Sequence, residues 1–195
     1  FKPMVIGTFI MVATYSLFYI MTAFAQAYSR TLSTLSEAGY PMGLGIPANT
    51  FTGLLLISAI VFAIFISISG LYADKIGRRK WLIWTTVSIL IFALCMPLFL
   101  GNGTPTSVFA FLVIGMALMG MTFGPMAALL PELFPTEVRY SGASLAYNIA
   151  SIIGATIAAM ISLKINALYG LMGVGIYLAI NAFLTLLALL EIGRA

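Results

Sequence analysis

Asp74, Lys75, Arg78, Arg79 and Lys80 put five charges into seven residues, and Glu132, Glu137 and Arg139 form a second polar island further along. Neither can perform the acid–base work of a hydrolase. The chain has no histidine, and no aspartate lies inside an apolar run, so a Ser–His relay or a mid-membrane pair of aspartates cannot be assembled. What carboxylates and guanidiniums can do here is pair with one another. Asp74, Glu132 and Glu137 can meet Arg78, Arg79 and Arg139. Each exposed pair is worth only ~0–1 kcal/mol, but several together can bias one conformation and still break in use. Lys75 and Lys80 read as ordinary solvated charges. Cys95 is the single cysteine, which excludes a disulfide within the chain and a cysteine-pair metal site.

A second set of residues could hydrogen-bond a polar solute. Tyr15, Tyr19, Thr22 and Gln26 recur at spacings of four, three and four, which places them on one face of an α-helix. Ser144, Asn148 and Ser151, with Tyr147 beside them, form a similar stripe. An asparagine in hydrocarbon is costly unless satisfied, so Asn148 is expected to face protein or a water-filled cavity. Gly142, Ala146, Ala150, Gly154 and Ala158 recur every four residues and predict close helix packing on another face. Gly120 and Gly124, followed by Pro125, predict either a bend or a close approach, because proline removes a backbone hydrogen bond. Met116, Met119 and Met121 read as apolar filler.

The elements that carry these residues are membrane helices. Hydrophobic residues make up 62% of the chain and charged ones 7%, against about 25% charged in a soluble domain. Apolar runs near 20 residues long mark six spans, at about 5–28, 51–69, 81–100, 107–130, 142–163 and 171–190. Pro47 and Pro105 suit the first turns of the second and fourth spans. The 29–50 connection, rich in Gly, Pro and Ser, is expected to be partly irregular. Five charges in seven residues belong in water, so the Asp74 island is a hairpin between spans. With six crossings, Lys2, Lys75, Arg78, Arg79, Lys80, Arg139 and Arg194 fall on one side and only Arg30 and Lys164 on the other. The positive-inside bias makes the first side, with both termini, cytoplasmic. The net charge of +4 is explained by that bias, with no basic stripe for nucleic acid. The chain starts at Phe1 without an initiator Met and ends just after a helix, so it reads as a piece of a longer protein.

The motif Gly70-x-x-x-Asp74-Lys75-x-Gly77-Arg78-Arg79 resembles the signature loop of the major facilitator superfamily. Glu132 followed by Arg139 resembles the glutamate–arginine pair of its sugar-porter-type branches. The stretch from Gly124 to Asn148 (Gly124-Pro125-Met126 through Pro131-Glu132-Leu133-Phe134-Pro135-Thr136-Glu137-Val138-Arg139-Tyr140-Ser141-Gly142) is similar to the bacterial metabolite:proton symporters, carriers of shikimate, organic acids and proline or betaine. The resemblance covers essentially the whole chain, as the carboxy-terminal six helices of a twelve-helix carrier. It implies an all-α membrane fold of two three-helix inverted repeats, a bacterial inner-membrane location and alternating-access transport of a small polar metabolite.

It also implies that the first and fifth spans border a central cavity, with Tyr15, Tyr19, Thr22, Gln26, Tyr147, Asn148 and Ser151 as substrate-lining candidates. Asp74, Arg78, Arg79, Glu132, Glu137 and Arg139 become the cytoplasmic gate, and Gly120, Gly124, Gly142 and Gly154 helix-packing positions. No metal or organic cofactor is expected, and the coupling ion would be a proton. Its titrating group is expected in the missing amino-terminal half, since every acid of this chain sits in a loop or at a helix end. The alternative is a self-assembling six-helix scaffold or channel subunit, in which an isolated half pairs with a second copy of itself as a homodimer.

Overall fold

The computed structural model describes residues 2–32 and 34–192. Phe1 and Arg194, which entered the sequence argument, lie outside the described residues. The first rod runs through α1 (Lys2–Tyr19), a π-helical turn at Ile20–Phe24 and α2 (Ala25–Arg30). An irregular connection with one isolated bridge, Leu35 to Pro41, leads to α3 (Ala48–Ile76). α4 (Arg78–Leu94) and α5 (Met96–Leu100) follow, then α6 (Pro105–Glu132). A short 3-10 turn, Thr136–Val138, precedes α7 (Arg139–Ser151), a second π turn at Ile152–Thr156 and α8 (Ile157–Glu191). Apart from that bridge, the described residues form helices and turns.

Local chemistry sets the ends and breaks. Gly77 is the only residue between α3 and α4 and has φ +100°, a conformation that L side chains rarely adopt, so the chain reverses there on one residue. Pro97 has no N–H for the Ala93 carbonyl, and α4 stops at Leu94. Thr104 caps α6, its side chain accepting from the Ser107 N–H at 3.2 Å, with Pro105 at the first helical position. α8 is not one straight helix: Gly170, at φ +67° and ψ −171°, breaks it.

Most helices are longer than the apolar runs that mark them. α3 reaches Ile76 and α6 reaches Glu132, because the backbone ladder continues into polar residues at the rim. The third span is divided at Cys95, and α6 runs without interruption through Pro125 and Pro131. Four helical stretches are long and apolar enough to cross a membrane: Lys2–Arg30, Ala48–Ile76, Pro105–Glu132 and Thr136–Glu191.

α3 packs along α6, α1 lies between α7 and α8, and α4 packs on α8 and α6. One apolar cluster gathers Leu17, Phe24, Tyr28, Phe92, Phe111 and Leu178. A second lies toward the charged end, with Ile10, Met11, Leu82, Met126, Leu130 and Leu189. Met116 and Met119 are buried in the first and Met121 packs against it. α3 turns an apolar ridge outward, Leu56 and Ile60 being 65% and 62% exposed, a surface suited to hydrocarbon.

Candidate functional site

α7 is a two-faced helix. Ala146, Ala150 and Ala158, the last beyond the π turn, are fully buried, and Gly154 is buried with them. A methyl group at Gly154 would sit 2.7 Å from the Tyr15 Cβ and 2.9 Å from the Val12 carbonyl oxygen, so the small side chains let α1 approach backbone to backbone. Gly142 accepts the Phe134 ring in the same way. The other face of α7 carries Tyr140, Ser144, Tyr147 and Asn148, which with Arg139 and Thr136 line an open cleft of about 580 Å³. Tyr15 and Tyr147 pack against the same apolar cluster from α1 and α7. Asn148 is exposed to the cleft, and its Nδ2 donates to the Ser144 carbonyl at 2.8 Å. Ser151 is half-buried at the end of α7.

On the first rod, Tyr15, Tyr19, Thr22 and Gln26 are all half-buried. They do not share one continuous α-helical face. The π turn at Ile20–Phe24 contains Thr22, and its wider hydrogen-bond spacing shifts Gln26 out of register with the two tyrosines. Thr22 spends its hydroxyl on the Phe18 carbonyl at 2.7 Å.

The charged islands resolve into separate arrangements. Arg78 binds two carboxylates at once: Nε donates to Asp74 at 3.0 Å and Nη1 to Glu132 at 2.5 Å. This ties the end of α3, the start of α4 and the end of α6. The guanidinium is 30% exposed and its partners 63% and 57%. Hydrogen bonding to Asp74, then to Glu132, holds Arg78 above its ordinary pKa. Arg79 joins no carboxylate among the described residues. It caps a helix C-terminus instead, Nε and Nη2 donating to the Leu189 and Leu190 carbonyls at 2.8 and 2.9 Å, where a cation is favoured by the exposed carbonyls. Arg139 donates to the Phe134 carbonyl at 3.4 Å and otherwise faces the cleft. Glu137, exposed in the 3-10 turn, has no ion-pair partner among the described residues. Among the described residues the expected six-residue network is therefore a three-residue one, because Arg79 and Arg139 point to backbone carbonyls of their own surroundings. Lys2 and Glu191 pair at 3.0 Å and bring the first and last helices to this end.

Gly120 and Gly124 sit at the α3–α6 crossing. A methyl at Gly120 would come within 2.7 Å of the Phe62 carbonyl oxygen, and one at Gly124 within 2.7 Å of the Ile66 carbonyl oxygen. Ser69 donates across the crossing to the Gly120 carbonyl at 3.0 Å. Proline at position 125 leaves the Met121 carbonyl without its helical donor, and Trp81 Nε1 supplies one at 2.9 Å. The two glycines thus serve a close approach of α6 to α3.

Several polar contacts between helices were not expected. Thr185 of α8 binds the backbone of α1 at Phe9 and Ala13, and Asn181 donates to Ser16 Oγ at 2.9 Å. Asn181 carries the same signal that singles out Asn148, an amide within an apolar run, and would have been found by applying that rule throughout.

The profile of the sugar (and other) transporter family matches residues 43–192. A Haemophilus influenzae protein whose name assigns it provisionally to metabolite transport is 87% identical over 97% of this chain and 43% of its own length. The Escherichia coli inner membrane metabolite transport protein YhjE is 55% identical over 95% of this chain and 41% of its own length. A Salmonella typhimurium proline/betaine transporter is 32% identical over 69% of this chain and 27% of its own length. The chain thus spans about two fifths of the first two relatives. No solved structure matches it. Rim charges, close-packed small-residue helices and this likeness agree: the chain belongs to the sugar (and other) transporter family of the major facilitator superfamily.

Proposed function

We propose that this chain is the carboxy-terminal half of a twelve-helix secondary transporter that moves a small polar metabolite by proton symport with alternating access. The observation that carries the reading is the pairing of an open cleft, bordered by the polar groups of Tyr147 and Asn148 and close to Tyr15, with a breakable ion triad at one end of the same bundle. Asp74, Arg78 and Glu132 act as the gate, weak enough in pairs to open on each cycle. Tyr15, Tyr19, Tyr147 and Asn148 contact the solute, with Thr22, Gln26 and Ser151 further along the route. The names of the relatives support a metabolite of the proline or betaine kind.

The bundle crosses the bilayer six times, as two three-helix inverted repeats. Length supports this: a straight helix from Thr136 to Glu191 would be ~84 Å long, nearly three times a hydrocarbon core of about 30 Å. The break at Gly170 divides it into two crossings. Arg78–Leu100, at ~34 Å, makes another. The charged end is cytoplasmic by its excess of Lys and Arg, with both termini there, and the membrane is the bacterial inner membrane. The proton-binding carboxylate lies in the amino-terminal half, because the acids of this chain sit at rims.

The test is uptake into proteoliposomes under an inward proton gradient, using radiolabelled proline, glycine betaine and a small dicarboxylate. This chain is assayed alone and together with the amino-terminal half. Uptake that needs both halves and collapses with a protonophore is expected. Uptake by this chain alone would instead favour a self-assembling six-helix channel.

A further inference from the structure

Thr185 lies 172 residues from Ala13, yet one hydroxyl serves both ends of a single rung of α1. Its Oγ1 accepts from the Ala13 N–H at 3.1 Å and donates to the Phe9 carbonyl at 2.7 Å. In an undisturbed α-helix that N–H and that carbonyl bond each other. A hydroxyl has one donor and two lone pairs and can stand between them. A side chain that enters the ladder this way is one of the few recognised causes of a bend.

A second staple lies one turn away. Asn181 precedes Thr185 by four residues, so both project from one face of α8. Its Nδ2 donates to Ser16 Oγ at 2.9 Å. Thr185, Ser16 and Asn181 are buried, at 2%, 0% and 7% exposure. Apolar packing would be served as well by Val and Leu. A hydroxyl and an amide buried here must have partners, and these two have them at defined points on α1. On the neighbouring face, Gly154 in the π turn packs close to the backbone of Val12 and Ser16. The segment from Phe9 to Ser16 is therefore held on two adjoining faces, and Tyr15 leaves α1 between the two staples in sequence.

We infer that Thr185, assisted by Asn181, is a positioning residue that fixes the rotation of α1 about its axis and so directs Tyr15 toward the cluster it shares with Tyr147. Its importance to transport rests on the proposal that this face lines the route; the staple itself does not. Removing the hydroxyl leaves Phe9 and Ala13 with no anchor on α8, and Tyr15 turns more freely with the released segment.

The test needs no substrate. In a Cys95→Ala background, Tyr15→Cys is labelled with a maleimide in lipid nanodiscs, and Glu37→Cys, exposed in the irregular connection before α3, serves as the reference. Thr185→Val is expected to change the Tyr15→Cys labelling rate about fivefold, the population shift of one net hydrogen bond, and to leave the Glu37→Cys rate unchanged. Thr185→Ser, which keeps the hydroxyl, is expected to restore the original rate. A folded Thr185→Val protein with an unchanged rate at position 15 overturns the inference. Equal changes at both positions, or a failure of serine to rescue, also overturn it, since a general loss of stability would act in that way. Should Thr185→Val not fold, Asn181→Leu removes the second staple alone and must shift the same rate in the same direction. Failure of the uptake experiment with these rates as expected would remove the transport reading and leave the staple standing.

Discussion

Replacing Arg78 by Met probes the charged end most directly. The substitution keeps much of the aliphatic stem and removes two charge-assisted hydrogen bonds, at 3.0 Å to Asp74 and 2.5 Å to Glu132. The magnitude follows from exposure. A buried guanidinium losing its partners would cost ~3–5 kcal/mol, but here both carboxylates are more than half exposed and water replaces much of the lost interaction. Two pairs at the surface value sum to ~1 kcal/mol, or a melting-temperature loss of about 2–4 °C for a chain of this size. The assay is thermal unfolding by circular dichroism in detergent for Arg78→Met, Glu132→Gln and the double variant. Because Glu132 acts through Arg78, the double variant should lose less than the two single losses added, with a coupling of ~0.5 kcal/mol. That coupling should fade near 1 M salt, where the screening length is about 3 Å. Arg78→Lys should recover only part of the loss, since one ammonium lacks the fork that reaches two carboxylates. Strictly additive losses, or a coupling that salt does not touch, would refute the triad.

Gly124→Ala should destabilise by ~1–3 kcal/mol, because its methyl meets the α3 backbone at Ile66; Gly53→Ala, with open space around it, should be neutral or stabilising by ~0.5–1 kcal/mol, and paired melts check the contrast. Trp81→Phe should cost ~1 kcal/mol by stranding the Met121 carbonyl, and much less in a Pro125→Ala background that restores the helical donor. Arg79→Gln should fray the last turn of α8, seen as faster amide exchange around Leu189 and Leu190, with ~0.3–1 kcal/mol lost. Arg78 has a folded-state pKa above its ordinary value, so its contribution is complete below that ordinary value and is lost only as pH climbs past the raised one. The Arg78→Met penalty should therefore be the same at about pH 6 and about pH 9, as melts at both will show.

The structure departs from the sequence expectations at identifiable places. Asp74 and Glu132 met Arg78 as their charges suggested, because helix ends on one side of a bilayer crowd together. Arg79 is chemically indistinguishable from its neighbour, yet one residue along α4 turns it by about 100°, toward α8 and its exposed carbonyls. Thr22 and Gln26 lost register with Tyr15 because a π turn changes the periodicity that the spacing argument assumes. Trp81 found Met121 because Pro125 had vacated that carbonyl, a consequence readable only once α4 lies against α6.

What the sequence determined unaided is whatever depends on transfer between water and hydrocarbon: helical membrane spans, polar rims and small-residue faces that admit a close neighbour. These are properties of single segments, and the cost of burying charge or exposing apolar surface acts on each segment separately. The tertiary structure decided which faces meet. The grip of Thr185 on Phe9 and Ala13, the bond from Asn181 to Ser16, and the division of labour between Arg78 and Arg79 join residues more than fifty and up to 176 positions apart. A directional bond of about 3 Å reports where two helices lie against each other, and no local periodicity contains that distance.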